Sequence, residues 1–188
     1  MRKVIMFNMV TLDGFFEGPK GPGDIDWHRT DEEFDRFAVD QLDTAGGIIF
    51  GRVTYEMMAT YWPTPEAIRG DPQVAGRMNR LPKYVFSRTH DRAAEWENST
   101  LLKGDVTAEI NRLKQQPGQD LLLFGSADLA STLTRLGLID EYRVLVNPVV
   151  LGRGRPLFQD PPETLNLKLV QSRTFGNGNV LLTYQPER

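Results

Sequence analysis

The chain has no cysteine among its 188 residues. Disulfide frameworks, zinc ribbons, iron–sulfur sites and cysteine nucleophiles are therefore excluded. An excess of basic residues is also missing, because 22 lysines and arginines stand against 25 aspartates and glutamates and leave a formal net charge of −3. This balance lacks the basic footprint of a nucleic-acid-binding protein, so we expect no nucleic-acid partner.

Long hydrophobic runs are absent as well. No stretch approaches the roughly 18 consecutive apolar residues that indicate a membrane-spanning helix, so we expect no membrane association. The opening segment from Met1 to Phe7 is too short for a signal peptide and is soon interrupted by Asn8 and Asp13. The lack of export and disulfide signals favours a cytoplasmic protein.

Low-complexity tracts and internal repeats are missing too. Glycine and proline cluster in short segments such as Gly18–Gly23, Trp62–Pro65 and Gly152–Pro156, which are typical of loops between secondary-structure elements. None of them resembles a long linker. We therefore predict a single domain that spans residues 1–188.

Short apolar strands alternate with helices along most of the chain. The predicted strands are Lys3–Val10, Gly47–Phe50, Lys83–Phe86, Asp120–Phe124, Glu141–Val146, Leu165–Thr174 and Asn179–Tyr184. The predicted helices include one capped by Thr30, and others over Thr54–Ala59, Pro72–Arg80, Val106–Gln116 and Asp128–Leu136. Asn177-Gly178 predicts a terminal hairpin. The pattern predicts an α/β fold with a mostly parallel central sheet, helices on both faces and a C-terminal antiparallel hairpin.

Small, hydroxyl and cationic residues follow several predicted strands, where ligands of parallel sheets bind. Gly51 allows close approach of an anion, the helix start near Thr54 supplies backbone N–H groups, and Arg52 offers a planar guanidinium. The segment Gly125–Ala127 repeats this arrangement, and Ser87–Thr89 adds donors for a phosphate monoester. The combination indicates a dinucleotide with an extra phosphate. Tight strand–helix turns with solvated arginines are the alternative.

This pattern resembles the dihydrofolate-reductase-like fold, and most closely the reductase domain of riboflavin biosynthesis and its stand-alone relatives. The matching segments are Val10–Phe15, Ile25–His28, Gly51–Glu56, Val85–Thr89, Phe124–Ala127, Asn147–Gly154 and the last two strands. The matches run from the first predicted strand to the last.

The resemblance implies an NADPH-dependent reductase of a small heterocyclic or carbonyl substrate, similar to 5-amino-6-(5-phosphoribosylamino)uracil reductase. It also implies a homodimer. The implied cofactor-binding residues are Asn8, Val10, Gly14, Gly51, Arg52, Thr54, Ser87, Arg88, Thr89, Gly125, Ser126 and Ala127. A dinucleotide-binding module or sensor without turnover is the alternative, because it would share the same phosphate motifs.

Asp13 is the predicted catalytic residue, since a carboxylate at a strand end is placed to bind substrate or relay a proton. Its alternative role is to organise its own turn. The predicted substrate-binding residues are Phe15, Trp27 and Tyr55, with Phe16 and Trp62 as further candidates for a pocket around a planar ring. Core packing is the alternative for these aromatic residues.

Two features depart from the families that the chain resembles. Riboflavin-pathway reductases usually continue their Leu-Asp-Gly with a basic or small residue, whereas Phe15-Phe16-Glu17 is aromatic and acidic here. Dihydrofolate reductases place one carboxylate on the first helix to bind the pterin. In this chain, counting forward from Trp27 places that carboxylate at Glu32, whereas counting back from Gly51 places it at Asp35, so the two counts disagree.

No metal site is predicted. Asp24, Asp26 and His28 alternate along one segment, but its glycines and prolines favour a solvated loop over a metal site.

Overall fold

The computed structural model describes residues 1–89, 95–159 and 163–187. Its strands are β1 (Val4–Thr11), β2 (Phe15–Glu17), β3 (Ala45–Gly51), β4 (Lys83–Phe86), β5 (Ser99–Leu102), β6 (Asp120–Leu123), β7 (Glu141–Asn147), β8 (Arg155–Pro156), β9 (Leu167–Thr174) and β10 (Val180–Pro186). Its helices are α1 (Glu32–Asp43), α2 (Arg52–Tyr61), α3 (Pro65–Gly70), α4 (Pro72–Arg80), α5 (Val106–Gln115) and α6 (Ala127–Arg135). Within the described ranges, no helix has both the length and the hydrophobicity that crossing a membrane would require.

One eight-stranded sheet forms the centre of the molecule, in the order β5-β4-β3-β6-β1-β7-β10-β9. Neighbouring strands from β5 to β7 run parallel. The C-terminal strand β10 runs antiparallel to both β7 and β9. Strands β2 and β8 pair separately as a small antiparallel ribbon. The mostly parallel sheet with its antiparallel hairpin is the architecture that the sequence predicted.

Alternating side chains of the central strands pack into different hydrophobic clusters. In β1, Val4 and Met6 join a cluster with residues of α5 and α6. Ile5, which points the other way, joins a second cluster with residues of α1, α2 and α4. The helices therefore form layers on the two faces of the sheet. The carboxyl ends of the neighbouring parallel strands β3, β4 and β6 lie side by side.

The first helix begins one residue later than the sequence predicted. The N-cap is Asp31, whose carboxylate accepts a hydrogen bond from the Phe34 N–H at 2.9 Å, so Thr30 is not the cap. Both residues are good caps, and the choice depends on which side chain reaches the first turn. The short elements β2, α3, β5 and β8 were not predicted, because they are too short to show a periodic pattern. His90, the second of the two histidines of the chain, lies outside the described residues.

Candidate active site

Two strand–helix turns, β3–α2 and β6–α6, are in direct contact at the carboxyl ends of the parallel strands. The Gly51 N–H donates to the Gly125 carbonyl at 2.8 Å. A Cβ atom on Gly51 would overlap the Ser126 hydroxyl oxygen and would lie 3.0 Å from the Ser126 nitrogen. The Gly125–Ser126 peptide bond is cis, and Gly125 has a φ of 109°. Glycine at position 51 is thus required for the two turns to approach each other.

A groove of about 580 Å³ opens where these turns meet the end of β4. The predicted cofactor-binding residues that line it are Gly51, Arg52, Ser87, Arg88, Thr89 and Ser126. Lys103 and Arg135 also line it and were missed by the sequence analysis. We call it the cationic groove. The structure therefore brings together the three segments that the sequence singled out as phosphate-binding.

The cationic groove has the chemistry of an anion site. Helix α2 begins at Arg52 and α6 at Ala127, so the N–H groups of both first turns lie at the groove. The first turn of α2 has no acidic side chain, whereas that of α6 carries Asp128, whose carboxylate pairs with Arg155. Arg52 pairs with Glu56, one turn further along α2, at 3.1 Å, which positions its guanidinium beside the groove. Backbone donors, arginines and close-packed glycines fit the phosphates of a dinucleotide.

A second cavity, of about 360 Å³, lies under helices α1, α2 and α4. Its walls are largely apolar and include Phe7, Phe34, Met57, Met58, Trp62, Val74, Met78 and Phe124. Its polar side chains include Asn8 and His28, together with the carboxylates Glu17, Asp35 and Asp71. We call it the acidic cavity. It has the size and lining of a pocket for a small ring compound.

The two cavities adjoin at the same pair of turns. Arg52 and Ser126 line the cationic groove, whereas Thr54 and Phe124, each two residues away, line the acidic cavity. Between them, a Cβ on Gly125 would lie 3.0 Å from the Thr54 hydroxyl oxygen. A molecule held by the first cavity therefore lies next to one held by the second.

The structure distinguishes the two candidates for the helix carboxylate. Asp35 lines the acidic cavity. The side chain of Glu32 is 96% exposed and lies 3.9 Å from Arg36. Partial burial raises the pKa of the Asp35 carboxyl above its ordinary value, and the negative charges of Asp71, Asp31 and Glu32 add to the effect.

Within the described part of the chain, two buried polar atoms at the acidic cavity have no hydrogen-bond partner, namely Asn8 Nδ2 and His28 Nε2. Asn8 is only 3% exposed. Burial lowers the pKa of His28 to about 4, so its imidazole is neutral at pH 7. His28 therefore faces the cavity and is not part of a solvated loop, as the sequence had favoured. In the sequence, the feature that singled out His28 was its alternation with Asp24 and Asp26, which we considered as a metal site.

The predicted substrate-binding aromatics lie around the cavity without lining it. Tyr55 is in the core, where its hydroxyl accepts a hydrogen bond from the Trp96 N–H at 3.0 Å. The Trp27 indole donates to the Asp24 carbonyl and its ring lies 4.4 Å from that of His28. Phe15 belongs to β2, and its neighbour Phe16 lines the cavity instead. Core packing is thus the environment of Tyr55.

Asp13 connects two loops. Its carboxylate accepts hydrogen bonds from the Thr11 hydroxyl at 2.7 Å, the Gly152 N–H at 2.7 Å and the Leu151 N–H at 3.2 Å. The hydrogen bond from the Thr11 hydroxyl is the largest cause of a lowered pKa of the Asp13 carboxyl; partial desolvation opposes it, and the Gly152 and Leu151 N–H groups lower the pKa further. These contacts fit the turn-organising alternative, and a catalytic role for Asp13 stays a prediction.

The remaining predicted cofactor residues divide between the acidic cavity, the core and the turn after β1. Asn8 and Thr54 line the acidic cavity. Val10 and Ala127 are buried in the core beneath the turns. Gly14 has a φ of 87° in the turn after β1, which explains the glycine there.

The fold is the dihydrofolate-reductase-like fold. A putative riboflavin biosynthesis protein from Shewanella sp. PV-4 superimposes with a TM-score of 0.77, at 23% identity over 99% of each chain. Dihydrofolate reductase from Enterococcus faecalis, in complex with NADP(H), superimposes with a TM-score of 0.67, at 13% identity over 99% of this chain and 97% of that one. These similarities confirm the predicted fold.

Sequence similarity identifies the family. The model of the RibD C-terminal domain matches residues 2–181, so the chain belongs to that family. The chain is also 39% identical over 186 residues to the uncharacterized protein YyaP of Bacillus subtilis (strain 168), covering 97% of this chain and 94% of that protein. The suspected relation to the riboflavin-pathway reductase domain is therefore confirmed.

Proposed function

We propose that this protein is an NADPH-dependent reductase that transfers hydride to a small ring compound or carbonyl compound. The observation that carries the proposal is the pair of adjoining cavities, one cationic and one apolar, on either side of the turns at Gly51 and Gly125. A dinucleotide-dependent reductase needs an anion-binding site beside a site for an organic substrate.

The cationic groove would hold the phosphates of the cofactor. The N–H groups at the starts of α2 and α6 and the guanidinium of Arg52 fit a pyrophosphate. Ser87, Arg88 and Thr89 fit an additional phosphate monoester, which favours NADPH over NADH. The complex of the similar dihydrofolate reductase with NADP(H) supports this choice.

When bound, the nicotinamide supplies the hydride, and the chain's own residues provide position and electrostatics. The apolar walls of the acidic cavity would exclude water and hold the acceptor next to the turns. Reduction also requires a proton at the acceptor. Asp35 lines the cavity and partial burial raises the pKa of its carboxyl, which makes it a candidate to relay this proton, whereas Asp13 was the candidate from sequence.

A non-catalytic nucleotide-binding module would need no open pocket beside the turns. Neither Phe15 nor Trp27 fills the acidic cavity, whose volume is about 360 Å³. The open cavity beside the turns therefore favours a reductase over the non-catalytic nucleotide-binding module that the sequence left as an alternative.

Titration calorimetry with NADPH, followed by absorbance measurements of NADPH oxidation over a panel of ring and carbonyl compounds, tests the proposal. We expect binding of NADPH and its oxidation by at least one compound of the panel. A chain that fails to bind NADPH contradicts the proposal.

The proposal includes a homodimer in the cytoplasm. Strand β9 lies at the edge of the sheet, and its Leu169 and Val170 are each about half exposed. Such apolar side chains on an edge strand favour pairing with a second copy. Sedimentation equilibrium should give twice the mass of the chain, and a single-chain mass would remove this part of the proposal.

A further inference from the structure

The acidic cavity contains negative side chains and no positive ones among the residues that the structure describes. Glu17, Asp35 and Asp71 line it, whereas no lysine or arginine does. The described lining of the cationic groove next to it contains four cations and two carboxylates, namely Arg52, Arg88, Lys103, Arg135, Asp105 and Asp128. The groove thus carries charges of both signs with cations in excess, whereas the described charged side chains of the acidic cavity are all carboxylates.

Backbone N–H groups hold two of these carboxylates in place at the cavity. Asp71 caps α4 by accepting from the Val74 N–H at 3.1 Å, and Glu17 accepts from the Gly23 N–H at 3.2 Å. Glu17 is only 7% exposed. A phosphate or carboxylate placed among these groups would meet like charges without a counter-ion, which is unfavourable in a partly desolvated site.

The rest of the wall favours an aromatic ring. Three flexible methionines can adapt their shape to a bound ring, namely Met57, Met58 and Met78. Trp62 and Phe34 add aromatic surface. The neutral His28 and the buried Asn8 amide each present an atom without a partner. Because unpaired buried polar atoms are unfavourable, a ligand with a polar edge would stabilise the site by pairing with them.

We propose that the acidic cavity binds an aromatic compound that is uncharged or cationic and carries neither a phosphate nor a carboxylate. The inference rests on the proposed function, since it names the class of hydride acceptor. It departs from the phosphoribosyl substrate that the resemblance to riboflavin-pathway reductases implies. The absence of any described cation from the lining and the unpaired Asn8 amide carry it.

A charge series on one ring tests the proposal. The probes are 1-naphthylmethylamine, 1-naphthalenemethanol and 1-naphthyl phosphate, which are a cation, a neutral compound and an anion on the same bicycle. Calorimetry gives their affinities with saturating NADPH and without it. Displacement of 1-naphthalenemethanol, followed by NMR, restricts the readout to the cavity, because the phosphate could also enter the cationic groove.

We expect the amine to bind about tenfold more tightly than the alcohol, as one charge-assisted contact with a carboxylate provides. The phosphate should displace the alcohol at least about tenfold less well than the amine does. In the Asp35→Asn variant, the preference for the amine should fall to about threefold or less. Asn at this position keeps the shape of the side chain and removes its charge.

Glu32→Gln is the matched control, because this carboxylate is on the same helix but its side chain is 96% exposed. It should keep the preference of the wild-type chain for the amine.

A phosphate that displaces the alcohol as well as the amine does would overturn the inference, and so would a preference for the amine that survives Asp35→Asn unchanged. NADPH titration is scored separately: a chain that binds the amine selectively but not NADPH contradicts the proposed function and leaves this inference standing.

Discussion

The cationic groove and the acidic cavity adjoin at two turns but are built differently. The groove consists mainly of residues at the ends of β3, β4 and β5 and at the start of α6 after β6, with arginines among them. The cavity consists of side chains from α1, α2 and α4, which belong to segments far apart in sequence. The first site depends on where strands end, and the second depends on how helices pack.

This difference separates what is shared within the fold from what is particular to this chain. Backbone N–H groups at helix starts bind phosphate in the same way in different chains, and the surrounding arginines adjust the affinity. A side-chain cavity changes its preference when a few residues change, as the carboxylates Asp35 and Asp71 indicate. We therefore expect cofactor binding to be sensitive to glycine substitutions and substrate choice to be sensitive to charge substitutions.

The largest effect should follow Gly51→Val, which places a branched side chain where even a Cβ would overlap Ser126. The two turns would be forced apart, and NADPH affinity should fall by at least about 100-fold in calorimetry. Gly70→Ala is the control, because a Cβ there meets nothing within 4 Å. Circular dichroism establishes that the variant is folded. A folded Gly51→Val protein that binds NADPH normally would contradict this account of the groove.

The arginines should distinguish the parts of the cofactor. Arg88→Ala should weaken NADPH by roughly 10- to 100-fold, because a charge-assisted contact with the extra phosphate is lost, and should leave NADH unchanged. Arg52→Ala should weaken both cofactors alike. Arg69→Ala removes an exposed cation of α3 and serves as the control. Equal losses of NADPH and NADH in Arg88→Ala would remove Arg88 from its predicted role.

The sequence predicted the groove better than the cavity, for a physical reason. Gly51, Ser87 and Gly125 each follow an apolar strand, and parallel strands bring their carboxyl ends to one edge, so local pattern and a general rule suffice. Arg135 was missed because it comes from the far end of α6, where no strand end marks it.

The cavity required information that the local pattern does not contain. Met57 and Val74 look like core residues in any helical pattern, and only the packing of helices shows that they surround a space. Asp35 and Glu32 lie three residues apart on α1, and counting along the chain left both open. Tyr55 was predicted for the pocket because large aromatics suit both pockets and cores, and its neighbours Phe50 and Trp96 place it in the core.

The stability of the chain should depend on pH through His28, a residue of the acidic cavity that has no counterpart among the described residues lining the cationic groove. Its folded-state pKa of about 4 lies below the ordinary 6.5, so between these values the unfolded chain binds a proton that the folded chain does not. Stability should therefore fall as the pH falls from 6.5 to 4, by at most about 3 kcal/mol. Urea unfolding across this range measures it.

The His28→Gln variant separates this contribution from those of the carboxylates. Its loss of stability between pH 6.5 and 4 should be smaller than that of the wild-type chain, since glutamine does not titrate. Carboxyls with lowered pKa values, such as those of Glu33 and Asp43, remain in both proteins and cancel in the comparison. Identical pH profiles would show that His28 is not buried at the cavity.

The smallest effect on binding is expected at Asp13, which lines neither site. The Asp13→Asn variant keeps an oxygen for one loop N–H but loses the negative charge that the Leu151 and Gly152 amides share. Hydrogen exchange at these two amides should become faster, whereas NADPH affinity should change by less than about threefold. If Asp13 instead relays the proton, as the sequence predicted, kcat should fall by about 100-fold or more with the loop amides still protected. Thr11→Val removes the hydroxyl that bonds to Asp13 and leaves its carboxylate in place, so it should reproduce the faster exchange without a comparable loss of kcat.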